Sequence, residues 1–470
     1  MQNNAGLHPA SASCALNATD IAAGFDALPA HWLRHWPPRS VSHTSITNTY
    51  KGLKGWGRTL FSIKRGKVRF APLPPSGCVL RRTPIFAWAL LELAERYPDL
   101  PAAVLPLNCR DKPTYWLPDG PQPHGAYEIG TTATPRDGKA ALAFSYTTGH
   151  TFSDVPMPDY TFWGLPYARI PPWEAWLRES AAAPTSHWEK KIDQMLWVGT
   201  TGVGNGKLGF SSHPLRSKFA RCGPAAFGGR LAIRGVAKEA IDKLAWKCPP
   251  GQCDDFPPSQ WIGLREQCRY RVLLHLPGVS DWLEHFKHQL SCGSLNVYVT
   301  EEREPRRRDP RREAEFAPPL SAPVFEHFDW WSPLLKAGVH YVHVHVRRRA
   351  GKDDICNAVA AALAEIDATP GRAQCIAQRG QQLARSLTME RVYAYMAGVV
   401  TRAAAAQQPE VVRATASRGS VVTKRNLMRH VSASTRPWME HIFLPWHNAS
   451  RLAVARAETA EDMRPPHYFS

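Results

Sequence analysis

Two loops of this 470-residue chain have the composition of a diphosphate cradle. One is Gly199-Thr200-Thr201-Gly202, which closes an apolar run. The other is Gly278-Val279-Ser280, just ahead of Trp282. Glycine lets backbone approach a ligand closely, hydroxyls donate to its oxygens, and a helix N-terminus attracts anions. Ordinary solvent loops share this composition, so the reading depends on the elements that carry the loops. A carboxylate of interest is Asp111, between Arg110 and Lys112 and just past an apolar run. A carboxylate in that place can take a proton from a hydroxyl. Spacing alone favours a surface ion pair over such a base.

Other patterns carry less. Gly204 to Gly209 matches G-x-G-x-x-G literally, but no helical pattern follows, which discards a dinucleotide fingerprint. Cys248 and Cys253 have no second pair at ligand spacing, so a disulfide loop or two thiols is favoured over zinc. His340, His343 and His345 share one strand, yet only the last two share a face, and no metal is assigned.

The elements that must position these residues alternate between strand and helix. Thr83 to Arg96 reads as an amphipathic helix, and Pro101 to Asn108 as a short strand delivering Arg110 and Asp111 at its end. A further strand follows from Lys139. Residues 151–185 are rich in Pro, Trp and Tyr, a rigid aromatic wall. Lys191 to Gly202 is a strand running into the first loop. Cys268 to Leu276 is a strand, Pro277 to Asp281 a turn, Trp282 to Leu290 a helix capped by Gly293, and Leu295 to Val299 the next strand. That is a βαβ unit, followed by a strand at Gly338 to Val346 and three helices. The pattern predicts an α/β fold with a parallel sheet. In such a sheet ligands sit beyond the C-terminal ends of the strands, which brings both loops to one cleft. Cys268 and Cys292 fall at one end of the βαβ unit, so a bridge between them is geometrically sensible. A bridge requires an oxidising compartment.

Composition bounds the function. With 44% hydrophobic residues and 17 Trp the chain has a core to bury. No apolar run approaches the roughly 18–20 residues of a spanning helix. Lys and Arg number 58 against 40 acids, a net +18, which suits polyanionic partners. Part of the excess lies in Glu301 to Glu313 and in the tail after Thr401. These read as a solvated loop and a flexible tail rather than a nucleic-acid arm. No secretory signal is visible in the first 30 residues; the sequons at Asn17 and Asn448 matter only in a secreted chain. The expected organisation is a poorly ordered 1–40, an N-terminal lobe at 41–185, a C-terminal lobe at 186–400 with a basic insert near 300–323, and a basic low-complexity tail at 401–470.

The segments CRYRVLLHLPGVS, FKHQLSCGSL, DWWSPLLKAGVHYVHV and IAQRGQQLARSLTMERVYAYM resemble glycosyltransferase family 90, the protein O-glucosyltransferase and capsule xylosyltransferase type. Upstream, AWALLELAERYPDLPAAVLPLNCRDKP, MPDYTFWG and HWEKKIDQMLWVGTTG extend the resemblance over roughly residues 45–400. It implies a GT-B fold, two Rossmann-like lobes with a cleft between them. It implies an inverting, metal-independent transfer of glucose or xylose from a UDP-sugar to a hydroxyl of a protein or glycan. The UDP-sugar is a co-substrate and no cofactor is expected. By resemblance Asp111 is the general base. Thr200, Thr201, Gly202, Arg216, Gly278, Val279, Ser280, His285, Lys287 and Asp329 fall on the donor side, and Tyr160, Phe162 and Trp163 on the acceptor side. Cys268 and Cys292 match a family disulfide, and the compartment implied is the endoplasmic reticulum or Golgi lumen, or secretion. The chain departs from the family in two places. Val198 and Thr201 stand where the donor loop commonly has Arg, with Arg216 as the substitute. Leu283-Glu284-His285 replaces a Ser-x-Arg at the diphosphate helix. Two other readings stay open: a weak or inactive member that binds glycan or protein, and a basic nucleic-acid-binding protein.

Overall fold

The first sheet starts from a hairpin. Strands β1 (Arg58–Lys64) and β2 (Lys67–Phe70) pair antiparallel through Arg65 and Gly66, both with positive φ. A two-residue turn of this kind matches the twist of the strands it joins, and glycine adopts it without strain. The computed structural model describes residues 14–53, 58–70, 82–109, 113–115, 141–149, 152–165, 170–182, 187–200, 214–219, 222, 227–236, 262–276, 285–301, 329–347, 351–416, 420–431 and 436–449.

On the other side of β1 lies β3 (Ala103–Asn108), antiparallel to it. The short strands β4 (Phe144–Ser145) and β5 (Val155–Pro156) continue the sheet in parallel. Two helices come first in the chain, α1 (Ala18–Trp32) and α2 (His43–Gly52). Helix α3 (Arg82–Arg96) packs on β2 and was expected to be amphipathic. Instead every residue from Thr83 to Ala94 is buried. The reason is cover on both sides: the C-terminal segment places Phe443 and His447 edge-on to Trp88.

The second sheet is wholly parallel. Its strands are β6 (Ile192–Thr200), β7 (Leu231–Val236), β8 (Tyr270–His275), β9 (Leu295–Glu301) and β10 (Val342–Val346), in the order β10-β9-β8-β6-β7. Valine and leucine on alternate positions fill one face against helices, as a sheet covered on both sides requires. Along the chain the helices are α4 (Trp173–Ala182), α5 (Pro214–Phe219), α6 (Phe286–Ser291), α7 (Lys352–Ala368) and α8 (Pro370–Arg385). Val272, Val297 and Val344 meet Ile355, Val359 and Ile376 in one core. The opposite face, with Tyr298, Tyr341 and Phe286, joins a larger core that continues to Phe61, Leu105 and Phe162 of the first unit. The expected α/β fold with a parallel sheet is present.

Three expectations about organisation change. From Cys14 on, the N-terminal segment is ordered: Asn17 caps α1, Phe25, Leu28 and Trp32 are buried, and Cys14 is bridged to Cys375. The tail after Thr401 is folded at least to residue 449, apart from 417–419 and 432–435, which lie outside the described residues. Helices α9 (Met389–Ala406) and α10 (Pro409–Ala416) lead to β11 (Ser420–Val422), which pairs antiparallel with β2. Apolar residues scattered among the charges, Val411, Val422, Trp438, Met439 and Phe443, are buried and hold it there. Residues 389–422 thus belong with the first sheet, so the second unit ends near Arg385 rather than at 400.

Candidate active site

Chain order reverses in the second sheet between β6 and β8: β7 lies on one side of β6, β8 on the other. In an open parallel sheet this switch point opens a crevice beyond the C-terminal strand ends. The pairing Trp197↔Leu274 places the two strand ends side by side. Thr200 is the last residue of β6. Thr201 and Gly202, which follow it, and Gly278, Val279 and Ser280, which follow β8, lie outside the described residues. The strands that carry both loops are nevertheless adjacent.

Arg216 reaches this edge from α5. Its Nη2 donates to the carbonyl of Leu276 at 3.1 Å, just beyond β8. Burial lowers the pKa of its guanidinium, with Tyr298 opposing, yet an arginine keeps its charge at neutral pH. A desolvated cation at a strand end suits an anionic ligand. His285 is half-buried and is the N-cap residue of α6, without a side-chain cap bond. His275, at the end of β8, hydrogen-bonds Asn296 at 2.8 Å and is held at a pKa of about 4, chiefly by desolvation, so it is neutral at pH 7.

Lys287 has a different partner from the one expected. Its ammonium donates to Asp159 at 2.8 Å and Thr161 at 2.6 Å, and sits 4.4 Å from the Phe162 ring; both charged side chains are 1% exposed. A cation matched to a buried carboxylate ties α6 to the first unit rather than facing a phosphate. Asp329 is also buried: its N–H donates to Ser332 Oγ at 2.9 Å. It opens a segment in which Trp330 stacks on Tyr395 with centroids 4.3 Å apart.

The aromatic residues assigned to the acceptor side are core. Tyr160, Phe162 and Trp163 are all buried to within 1%. Asp159 caps their 3-10 turn, Tyr160 lies under the Arg82 guanidinium, and Trp163 Nε1 donates to Tyr393 at 2.8 Å. Phe162 and Trp163 also line a small cavity with Glu92, Arg96, Tyr393 and His447.

Asp111 lies outside the described residues, but both flanks are defined. Asn108 ends β3, Cys109 is disulfide-bonded, and the Thr114 and Tyr115 N–H groups donate to the carboxylate of Asp154 at 3.0 and 2.7 Å. Asp154 and Asp159 went unread in the sequence. Their signal was two acids in the otherwise apolar, Pro-rich run DVPMPDY, where a solvated loop has no reason to be so apolar. The bridge Cys268–Cys292 is present, and Lys191 Nζ donates to the carbonyls of both cysteines at 2.6 and 3.1 Å. Among the described residues no cluster of three or more His, Cys, Asp or Glu is placed to hold a metal, and no helix is long and apolar enough to cross a membrane.

A mixed α/β fold with a wholly parallel sheet is a frame shared by many nucleotide-dependent transferases. The family model described as glycosyl transferase family 90 matches residues 61–304 and 323–450. The chain belongs to this family of glycosyltransferases. The gap in the match, 305–322, falls in the charged insert. None of the curated proteins compared with the chain matches it.

Proposed function

We propose that the protein is an inverting, metal-independent glycosyltransferase of GT-B architecture that moves glucose or xylose from a UDP-sugar to a hydroxyl of a protein or glycan. The observation that carries this reading is the adjacency of the β6 and β8 ends, with Arg216 bonded to the Leu276 carbonyl beside them. The diphosphate then lies against the Thr200–Gly202 and Gly278–Ser280 loops. Arg216 and backbone N–H groups offset the charge that builds on the departing UDP. His285 stands where the family carries arginine and offers weaker support for that charge.

On the opposite side Asp111 acts as base. The acceptor oxygen bonds to the anomeric carbon as its proton passes to Asp111. The bond from that carbon to the β-phosphate oxygen breaks, and its electron pair leaves with UDP. A single displacement of this kind inverts the anomeric centre. Asp329 belongs to the donor side in this reading. Tyr160, Phe162 and Trp163 belong to the acceptor side in this reading, with Phe162 and Trp163 on the wall of a small cavity.

All seven described cysteines are in disulfides, which supports a lumenal or secreted setting. A panel of UDP-sugars in a thermal-shift assay identifies the donor through the stabilisation it gives. Asp111→Asn is expected to lower UDP release with acceptor by about 100-fold or more while UDP still binds. Transfer at the wild-type rate removes Asp111 from the role.

A further inference from the structure

Asp154 lies just before β5 and is 3% exposed. Its carboxylate accepts from the N–H of Thr114 through both oxygens at 3.0 Å, from the N–H of Tyr115 at 2.7 Å, and from the side chain of Asn108. Among the described residues no lysine, arginine or histidine is paired with it. Isolated buried carboxylates are costly. Among the described residues its compensation comes from amide groups: its own N–H, and others from two stretches of chain. Asn108 closes β3, three residues before Asp111; Thr114 and Tyr115 follow three and four residues after it.

Neighbouring bonds fix the same region. Ser153 N–H donates to the Tyr115 carbonyl at 2.8 Å, Thr148 Oγ1 donates to the Asp154 carbonyl at 2.6 Å, and Tyr115 OH donates to the carbonyl of Thr49. An asparagine or threonine has one acceptor oxygen in its side chain. A carboxylate has two, enough for three donors arriving from both sides.

We propose that Asp154 is a positioning residue: it clamps the two flanks of the Asp111 segment to each other and so sets where the base meets the acceptor hydroxyl. This rests on the reading of Asp111 as base. Burial raises the Asp154 carboxyl to about 7, opposed by the amides of Tyr115 and Thr114 and by Asn108. Among the described residues the ionisable side chain that its charge acts on is Tyr115, whose hydroxyl is pushed up by burial and by the Asp154 charge and stays neutral. The clamp is therefore strongest above neutral pH, where the carboxylate is ionised and accepts most firmly.

The test is the pH profile of kcat in the full chain, with UDP affinity measured in the same buffers. Wild type should lose kcat as pH falls through about 7 while UDP affinity stays flat. Asp154→Asn should cut kcat at pH 8 by about tenfold or more with KM for the UDP-sugar unchanged, and its rate should no longer rise between pH 6 and 8. Should that variant fail to fold, Asn108→Ala removes one donor to the carboxylate and should move the wild-type acid limb to higher pH. An Asp154→Asn enzyme with wild-type kcat, a lowered kcat that keeps the wild-type limb, or an Asn108→Ala limb that does not move overturns the proposal. Asp111→Asn separates the two ideas. If it is inactive while the Asp154 and Asn108 variants are normal, the clamp alone fails; if it is active, the base reading fails.

Discussion

Lys287 sits in FKHQL beside the predicted diphosphate turn, and its ammonium closes on Asp159 at 2.8 Å instead. Both partners are out of solvent, so removing one leaves the other charge uncompensated. Lys287→Met is expected to destabilise the protein by about 3–5 kcal/mol in urea unfolding, and Lys287→Met/Asp159→Asn to recover part of that loss. Had the lysine been held for phosphate, the single variant would weaken UDP binding and leave stability nearly unchanged. Asp154 adds a pH dependence of its own. A carboxyl raised from 3.8 to about 7 on folding holds a proton in the native state that the unfolded chain has released. Its contribution to stability is complete below about pH 4 and is lost as pH rises through 7. Asp154→Asn should therefore flatten the fall in unfolding free energy between pH 4 and 7. The apolar run DVPMPDY marks these two aspartates as unusual, but their distant donors, Tyr115 for Asp154 and Lys287 for Asp159, lie 39 and 128 residues away and have no local pattern.

At the scale of elements, reading and structure agree where periodicity is local and fail where burial comes from distant chain. The strands at 270–275 and 295–301, and the helices at 352–368, 370–385 and 389–406, follow runs of apolar residues at period two or 3.6. The strand expected from Lys139 is present as the two-residue β4 (Phe144–Ser145), whereas β5, also of two residues, is too short to form a pattern. The segment after Thr401 looked solvated because its charges outnumber the apolar residues that anchor it. Its key contact is a single side chain. Gln407 accepts from the Val104 N–H at 2.9 Å and donates to the Val104 carbonyl at 2.6 Å, completing β3 where β4 does not reach. Gln407→Ala orphans two buried backbone groups and is expected to cost about 2–4 kcal/mol, read as a lowered midpoint in denaturant. A loss within 0.5 kcal/mol would mean that water replaces the amide.

Across the molecule, Cys14–Cys375 ties the segment before α1 to α8, Cys222–Cys356 ties the chain after α5 to α7, and Cys268–Cys292 closes the βαβ unit. Only the last was legible in the sequence, because its cysteines flank one unit; the others join residues 361 and 134 positions apart. Non-reducing peptide mapping should recover these three links and a further one through Cys109. Reduction should lower the melting temperature, each bridge contributing roughly 2–4 kcal/mol. Unchanged melting after full reduction would make the bridges incidental.

The pairing of β11 with β2 bears on how the chain is made. The second sheet draws on one stretch, 192–346, and can close on itself as soon as that stretch has left the ribosome. The first sheet cannot. Its hairpin at 58–70 emerges early, yet the strand that covers its edge comes some 350 residues later, at 420–422. At the usual rates of synthesis that is a delay of tens of seconds with an open β edge, the interval in which a chaperone or a neighbouring nascent chain can pair with it.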